Sequence, residues 1–300
     1  MTGPSGNIYD LGYQGYDGPR LGRSTVAFGL LRRSLAESYG IGRGGRAKVA
    51  PFLLLALAVL PAILAVGITA LAAQTGNREL VAEASPIRHE TYQGLTSALV
   101  MLFCAAQAPE LFGRDQRYGV LPLYFSRVLT RADYALARTG GLFLAVLVVT
   151  LVPQVVLSLG ALLSAADPLA GLADDAADIP RYVAVAVLSS GLLAGISSVS
   201  AAWTPRRAYA TATIIAVFIV PPIIVGLISE LAAGDLAGIL VVLSPGDVVD
   251  GLNAAIFGTI PDSPAVSAAN LPEIAYVVAA VVGTVGALAI ILRRYLTVTT

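Results

Sequence analysis

Six largely apolar stretches divide the chain, at roughly Val49–Ala73, Thr91–Leu111, Thr139–Ala165, Tyr182–Trp203, Ala208–Ser229 and Ile274–Leu292. Crossing ~30 Å of hydrocarbon takes a helix of ~20 apolar residues, so each stretch is long enough to span a membrane, Pro51 and Pro61 in the first notwithstanding. Ahead of them, Ser24–Tyr39 sets Ala27, Phe28, Leu31, Leu35 and Tyr39 in one arc and Arg33 and Glu37 opposite, with Val26 and Leu30 on the polar side. That spacing predicts an amphipathic helix lying in the membrane interface, joined to the first span by a basic hinge, Gly40–Lys48. Between the fifth and sixth spans, Gly234–Leu243 is apolar but too short to cross. Ser244-Pro245-Gly246-Asp247 then reads as a helix start, followed by Val248, Val249, Leu252, Ala255 and Ile256 at helical spacing and by Gly258 as a stop. Segment 234–260 is therefore expected to hold two short half-buried helices that re-enter the bilayer.

The predicted fold is an all-α polytopic membrane protein. Residues 1–48 form an N-terminal region with the interfacial helix, 49–292 the six-span domain and 293–300 a short tail. Composition agrees: 56% of the residues are hydrophobic, only 13% are charged, and the mean hydropathy is +0.78. An average soluble domain carries roughly 25% charged residues. Residues 1–23 are rich in Gly, Tyr and Asp and lack the apolar core of a secretory signal, so the segment is expected to be retained.

Charge placement sets the orientation. Of the 19 Lys and Arg residues, 16 fall in 1–48, 112–138, 204–207 and 293–300, which alternate with the acidic loops that hold Asp167, Asp174, Asp175 and Asp178 or Asp235, Asp247, Asp250 and Asp262. Basic residues near span ends stay on the cytoplasmic side, which predicts that both termini are cytoplasmic. Eighteen Arg against one Lys, with abundant Ala and Gly, suggests a GC-rich genome and a bacterial plasma membrane.

No span carries an ionisable residue in its middle, which argues against proton coupling. The polar positions Gln107, Gln154 and Ser158 are the candidates for a substrate path, and the fourth span adds Ser189, Ser190, Ser197, Ser198 and Ser200 around Gly191-x-x-x-Gly195. A single Cys, Cys104, and a single His, His89, build no disulfide or zinc site, and His89 is expected in a solvated outer loop. The only lysine, Lys48, precedes Val49, so there is no phosphate-binding P-loop. No catalytic constellation and no sign of a nucleic-acid partner is found.

The most informative interruption is Glu110–Arg138, ELFGRDQRYGVLPLYFSRVLTRADYALAR, too long and too rich in aromatic and basic residues for a simple turn. It reads Glu110, Arg114 to Arg117, Gly119-Val120-Leu121-Pro122, Ser126, Arg131 and Arg138 in order. In this loop, in the six spans, and in the helices before the first and last of them, the chain resembles the membrane subunit of ATP-binding-cassette (ABC) exporters of the second type. Val120, Pro122 and Val128 depart from that family's loop pattern.

The resemblance implies a permease that is not itself an enzyme and has no cofactor of its own, with ATP and Mg bound on a separate ATPase subunit, present in two copies. It implies that segment 110–138 couples to that subunit. Glu110 would end the second span, Tyr118, Leu121, Tyr124 and Phe125 would be packing anchors, and Arg114, Arg117 and Arg127 would face acidic groups. A second permease chain, identical or similar, would complete a path for an amphipathic or hydrophobic substrate such as a drug, peptide or lipid. The competing reading is a secondary transporter or channel driven by an ion gradient.

Overall fold

A computed structural model describes residues 18, 21–74, 87–126, 128–164, 173, 176–231 and 235–297. Every regular element among them is an α-helix: α1 (Arg23–Ser38), α2 (Arg46–Gln74), α3 (His89–Arg117), α4 (Leu121–Phe125), α5 (Arg131–Ser164), α6 (Asp178–Trp203), α7 (Arg207–Leu231), α8 (Asp235–Val241), α9 (Pro245–Phe257), α10 (Pro264–Ala269) and α11 (Glu273–Leu296). Six of these, α2, α3, α5, α6, α7 and α11, are long and apolar enough to cross a membrane. The chain is a multi-pass helical membrane protein.

The spans sort by burial into centre and rim. About half of the apolar window of α3, α5 and α6 is buried within the bundle, against about a fifth for α2, α7 and α11. The rim helices turn rows of large apolar side chains outward, among them Leu57, Leu60, Ile63 and Leu64 on α2, Ile219 and Ile223 on α7, and Val278 and Val282 on α11. An exterior of this kind suits hydrocarbon rather than water. At the centre the helices approach closely through small residues: Cβ atoms added at Gly191 and Gly195 of α6 would lie 3.2 Å and 3.0 Å from Thr284 and Ala287 of α11. The glycine pair of the fourth span therefore serves packing within the chain.

The helix ends follow local chemistry. Thr130 and Asp133 form a capping box at the start of α5: the Asp133 carboxylate accepts the Thr130 N–H at 2.9 Å, and the Asp133 N–H donates to Thr130 Oγ1 at 3.2 Å. At the other end of the bundle, α9 starts and stops where its signals fall. Ser244 holds the extended N-cap backbone and Pro245 the first turn, although the Ser244 hydroxyl makes no capping bond. Gly258 closes the helix in the left-handed conformation, φ 72°. Helix α9 is wedged among α3, α6, α7 and α11. The short α10, also opened by a Ser-Pro pair at 263–264, is an element the spacing argument passed over.

Two expectations are corrected. The inner face of α1 keeps Ala27, Leu31, Leu35 and Tyr39 of the predicted arc but extends to Leu30, Ser34 and Ser38, while Phe28 is exposed and Glu37, placed on the outer side, turns inward. The reason is close approach to α5, where Gly141 leaves room only for serine-sized neighbours. His89 is not a solvated loop residue. It opens α3, shares a 2.6 Å hydrogen bond with Gln154 and stacks on Tyr182 at 4.9 Å between ring centres.

Candidate functional site

The chain gathers a buried ion cluster at one end of the bundle, where the α3–α5 connection, α1 and the ends of α6 and α11 meet. Arg138, one of the largest side chains in the protein and only 2% exposed, is the hub. It sits two turns inside α5 and reaches three other helices. Its Nη1 donates to Glu37 Oε2 of α1 at 2.7 Å and to Ser34 Oγ at 3.2 Å. Its Nη2 donates to Asp115 Oδ2 of α3 at 2.5 Å and to the Tyr124 hydroxyl of α4 at 3.3 Å. Tyr134, one turn before Arg138 on the same face, donates a second hydrogen bond to Asp115 at 2.8 Å. Planar, forked and permanently charged, a guanidinium is the group best suited to bridge two carboxylates.

An aromatic cluster covers this ion cluster. Tyr134 packs against Tyr124, Phe125 and Tyr295 at 5.1–5.9 Å between ring centres, and Arg131 lies 5.7 Å from the Phe125 ring centre. The short helix α4 is thereby fixed to α5 and, through Tyr295, to α11. A further bidentate pair, Arg23 to Asp133 at 2.7 and 2.9 Å, ties the start of α1 to the start of α5. Nearby, Arg294 of α11 lies 5.4 Å from the ring centre of Trp203 at the end of α6.

Glu37 records the electrostatics of the hub. Burial pushes its carboxyl upward, but the Arg138 charge and the hydrogen bonds from Arg138 and Arg33 outweigh burial and hold it below its ordinary value of 4.5. A carboxyl depressed on folding adds stability that is complete above the unfolded value and is lost as pH falls through the folded one. The thermal midpoint of the wild type should therefore drop on acidification below pH 4.5, and Glu37→Gln should flatten that limb. Identical limbs in the two proteins would contradict the role given to Glu37.

Glu110 organises a second cluster beside the first. Its two oxygens accept from Arg43 Nη1 at 2.8 Å and Arg207 Nη1 at 2.7 Å, which joins the α1–α2 turn, the end of α3 and the start of α7. The turn can close because Gly40 takes φ +68°; a Cβ there would meet the Ala47 carbonyl at 2.5 Å. A cavity of about 500 Å³ next to Glu110 is lined by these groups and by Arg114, Arg117 and Tyr118.

The sequence-derived coupling residues divide into two groups. Arg114, Arg117 and Tyr118 are exposed, Tyr118 at 69%, and Leu123 and Val128 join them on the outside. Leu121, Tyr124 and Phe125 pack at least partly against the chain's own core. Glu110 is held within the chain, and Arg127 lies outside the described residues. The hub itself, Arg138 with Asp115, Glu37 and Tyr134, was not assembled by sequence reasoning. Its one local sign is Tyr134 and Arg138 four residues apart at the head of a span.

The three path candidates do not form one path. Gln154 donates to the His89 carbonyl at 3.3 Å, and Ser158, one turn on, donates to the Tyr182 hydroxyl at 3.3 Å, so these two share a polar cluster with His89. Gln107 lies on α3 eighteen residues beyond His89, about 27 Å of helical rise away. Among the described residues, no group of three His, Cys, Asp or Glu side chains is placed to hold a metal. Neither the known family models nor the curated proteins give a match to this chain.

Proposed function

We propose that the chain is the membrane permease of an ABC exporter, which moves an amphipathic or hydrophobic substrate outward while a separate subunit, present in two copies, binds Mg and hydrolyses ATP. The observation that carries this reading is the construction of the α3–α5 connection. It presents Arg114, Arg117, Tyr118 and Leu123 on the outside and is anchored from within by Arg138, Asp115 and Tyr134. A docking surface built on a rigid mount passes on force, whereas a floppy loop dissipates it. Arg and Tyr are also the residue types that most often dominate protein contacts.

In this reading the connection is cytoplasmic, as are both termini, and the membrane is the bacterial plasma membrane. The inside-positive distribution of Arg supports that orientation. Helix α1 lies in the interface, the α8–α9 segment re-enters from outside, and a second permease chain completes the path. The apolar middles of the spans suit an ATP-driven rather than a proton-driven cycle.

Gentle detergent extraction of the native chain followed by mass spectrometry tests the reading. An ATPase subunit with a phosphate-binding P-loop is expected to copurify with the wild type and to be lost from the Arg117→Glu, Tyr118→Ala double variant. Both positions are exposed, so the variant should keep its fold. If the chain purifies alone and moves solute on an ion gradient, the exporter reading is wrong.

A further inference from the structure

At the opposite end of the bundle, a cavity of about 450 Å³ lies between α3, α7 and α9. Its lining runs from Gln93 to Met101 on α3, eight residues or about 12 Å of depth. One part of the wall is apolar, with Met101, Phe218, Ile219 and Pro222. The other is acidic, with Asp247 and Asp250 from α9 and Asp262 from the segment that follows it. Among the described residues, no Arg, Lys or His lines it.

The acidic wall carries unused hydrogen-bonding capacity. Asp247 is 4% exposed; its Oδ1 accepts the Ser263 hydroxyl at 2.8 Å, and its Oδ2 is buried without a partner. Asn253 Oδ1 and Gln93 Nε2, on side chains that are also more than nine-tenths buried, are unpartnered as well. Two of these three atoms are acceptors, and one belongs to a carboxylate. Buried acceptors left without a donor are costly, and a bound group that donates hydrogen bonds and carries positive charge removes that cost. Asp250 is differently placed: its two oxygens accept the backbone N–H groups of Asp262 and Ser263 at 3.2 and 2.9 Å, which fixes the wall. Among the described residues no set of three His, Cys, Asp or Glu ligands is placed here to hold a metal ion. An apolar wall facing an acidic one suits a positive charge carried on a larger apolar body.

We infer that this cavity binds an amphipathic organic cation, with an ammonium group on Asp247 and the apolar body against Phe218, Pro222 and Met101. The inference names a substrate class for the exporter proposed above and rests on that reading for transport, but binding itself requires only this chain. Cavities of this volume and mixed lining are typical of small-molecule sites. Asp247 sets charge preference, Asn253 adds an acceptor, and the exposed Asp262 raises the local concentration of cations at the rim.

The test uses the full chain in lipid nanodiscs and three probes with one apolar body: 4-phenylbutylamine, 4-phenylbutanol and 4-phenylbutyrate. Calorimetric titration, with empty nanodiscs subtracted, should show the amine binding about tenfold or more tighter than the alcohol, as one charge-assisted hydrogen bond implies, and the acid weakest. Asp247→Asn should erase the preference for the amine and leave alcohol binding unchanged. Should that variant fail to fold, Asp262→Asn at the exposed rim must still reduce the preference several-fold. Equal binding of amine and alcohol, or a preference untouched by these substitutions, overturns the inference. If the amine binds as described but the ATPase-bearing assembly does not export it, the substrate class is wrong while the cation site stands; a chain that purifies without any ATPase sinks the exporter reading instead.

Discussion

Replacement of Arg138 by methionine is expected to destabilise the chain by about 3–5 kcal/mol, because it leaves the carboxylates of Asp115 and Glu37 in a buried site without their shared cation. The loss is one of balance rather than of attraction. Neutralising the partners as well, with Asp115→Asn and Glu37→Gln, should recover most of it, since a neutral cluster no longer contains an uncompensated charge. Arg138→Lys should recover less. A single ammonium cannot bridge Glu37, Ser34, Asp115 and Tyr124 as the forked guanidinium does. Unfolding by SDS in mixed micelles measures all three. A single-variant loss under about 1 kcal/mol, the range of an exposed ion pair, would mean that water reaches the hub.

The second large effect is expected at Gly141. A Cβ there would lie 2.3 Å from Ser34 Cβ and 3.0 Å from the backbone of α1, so the helix itself must move to admit it. Gly141→Val should lift α1 from α5 at a cost of about 1–3 kcal/mol. It should also loosen the Tyr39 hydroxyl from the Ala145 carbonyl, a 2.8 Å bond one turn along. Limited trypsin digestion after Arg32 and Arg33 reads the change. Each ~1.4 kcal/mol lost from docking raises the open population, and with it the cleavage rate, about tenfold. Unchanged cleavage would show that α1 tolerates the methyl groups by local repacking.

These two sites also mark where the sequence was readable and where it was not. The six spans were legible because hydrocarbon demands long apolar runs, and the start and stop of α9 because Ser-Pro and Gly act locally. The helices outrun the apolar runs where charge begins: α3 continues past Leu111 to Arg117, and α5 starts at Arg131 rather than Thr139. Hydropathy reports the surrounding solvent, and a helix does not end where its solvent changes. The face of α1 was read only in part: Leu31, Leu35 and Tyr39 turn inward as their spacing implies, but the closest contact rests on Ser34, Ser38 and Gly141, residues chosen for small size rather than for hydrophobicity. The hub was out of reach for another reason. Glu37 and Arg138 stand 101 residues apart, and no local spacing announces a pair that only the tertiary fold brings together. The acidic cavity was half legible: its aspartates were counted as an acidic loop, but their convergence on the face of α3 was not visible.

Trp203 is the only tryptophan in the chain, partly exposed at the end of α6 with the Arg294 guanidinium over its ring. The protein thus carries a single tryptophan, which can be excited apart from its tyrosines, with a cationic neighbour, at the end of the bundle where α6, α11 and the α3–α5 connection meet. Any rearrangement that slides α11 against α6 changes the distance between that ring and that charge. Intrinsic emission from the unlabelled protein then reports the motion, and Arg294→Gln supplies the control.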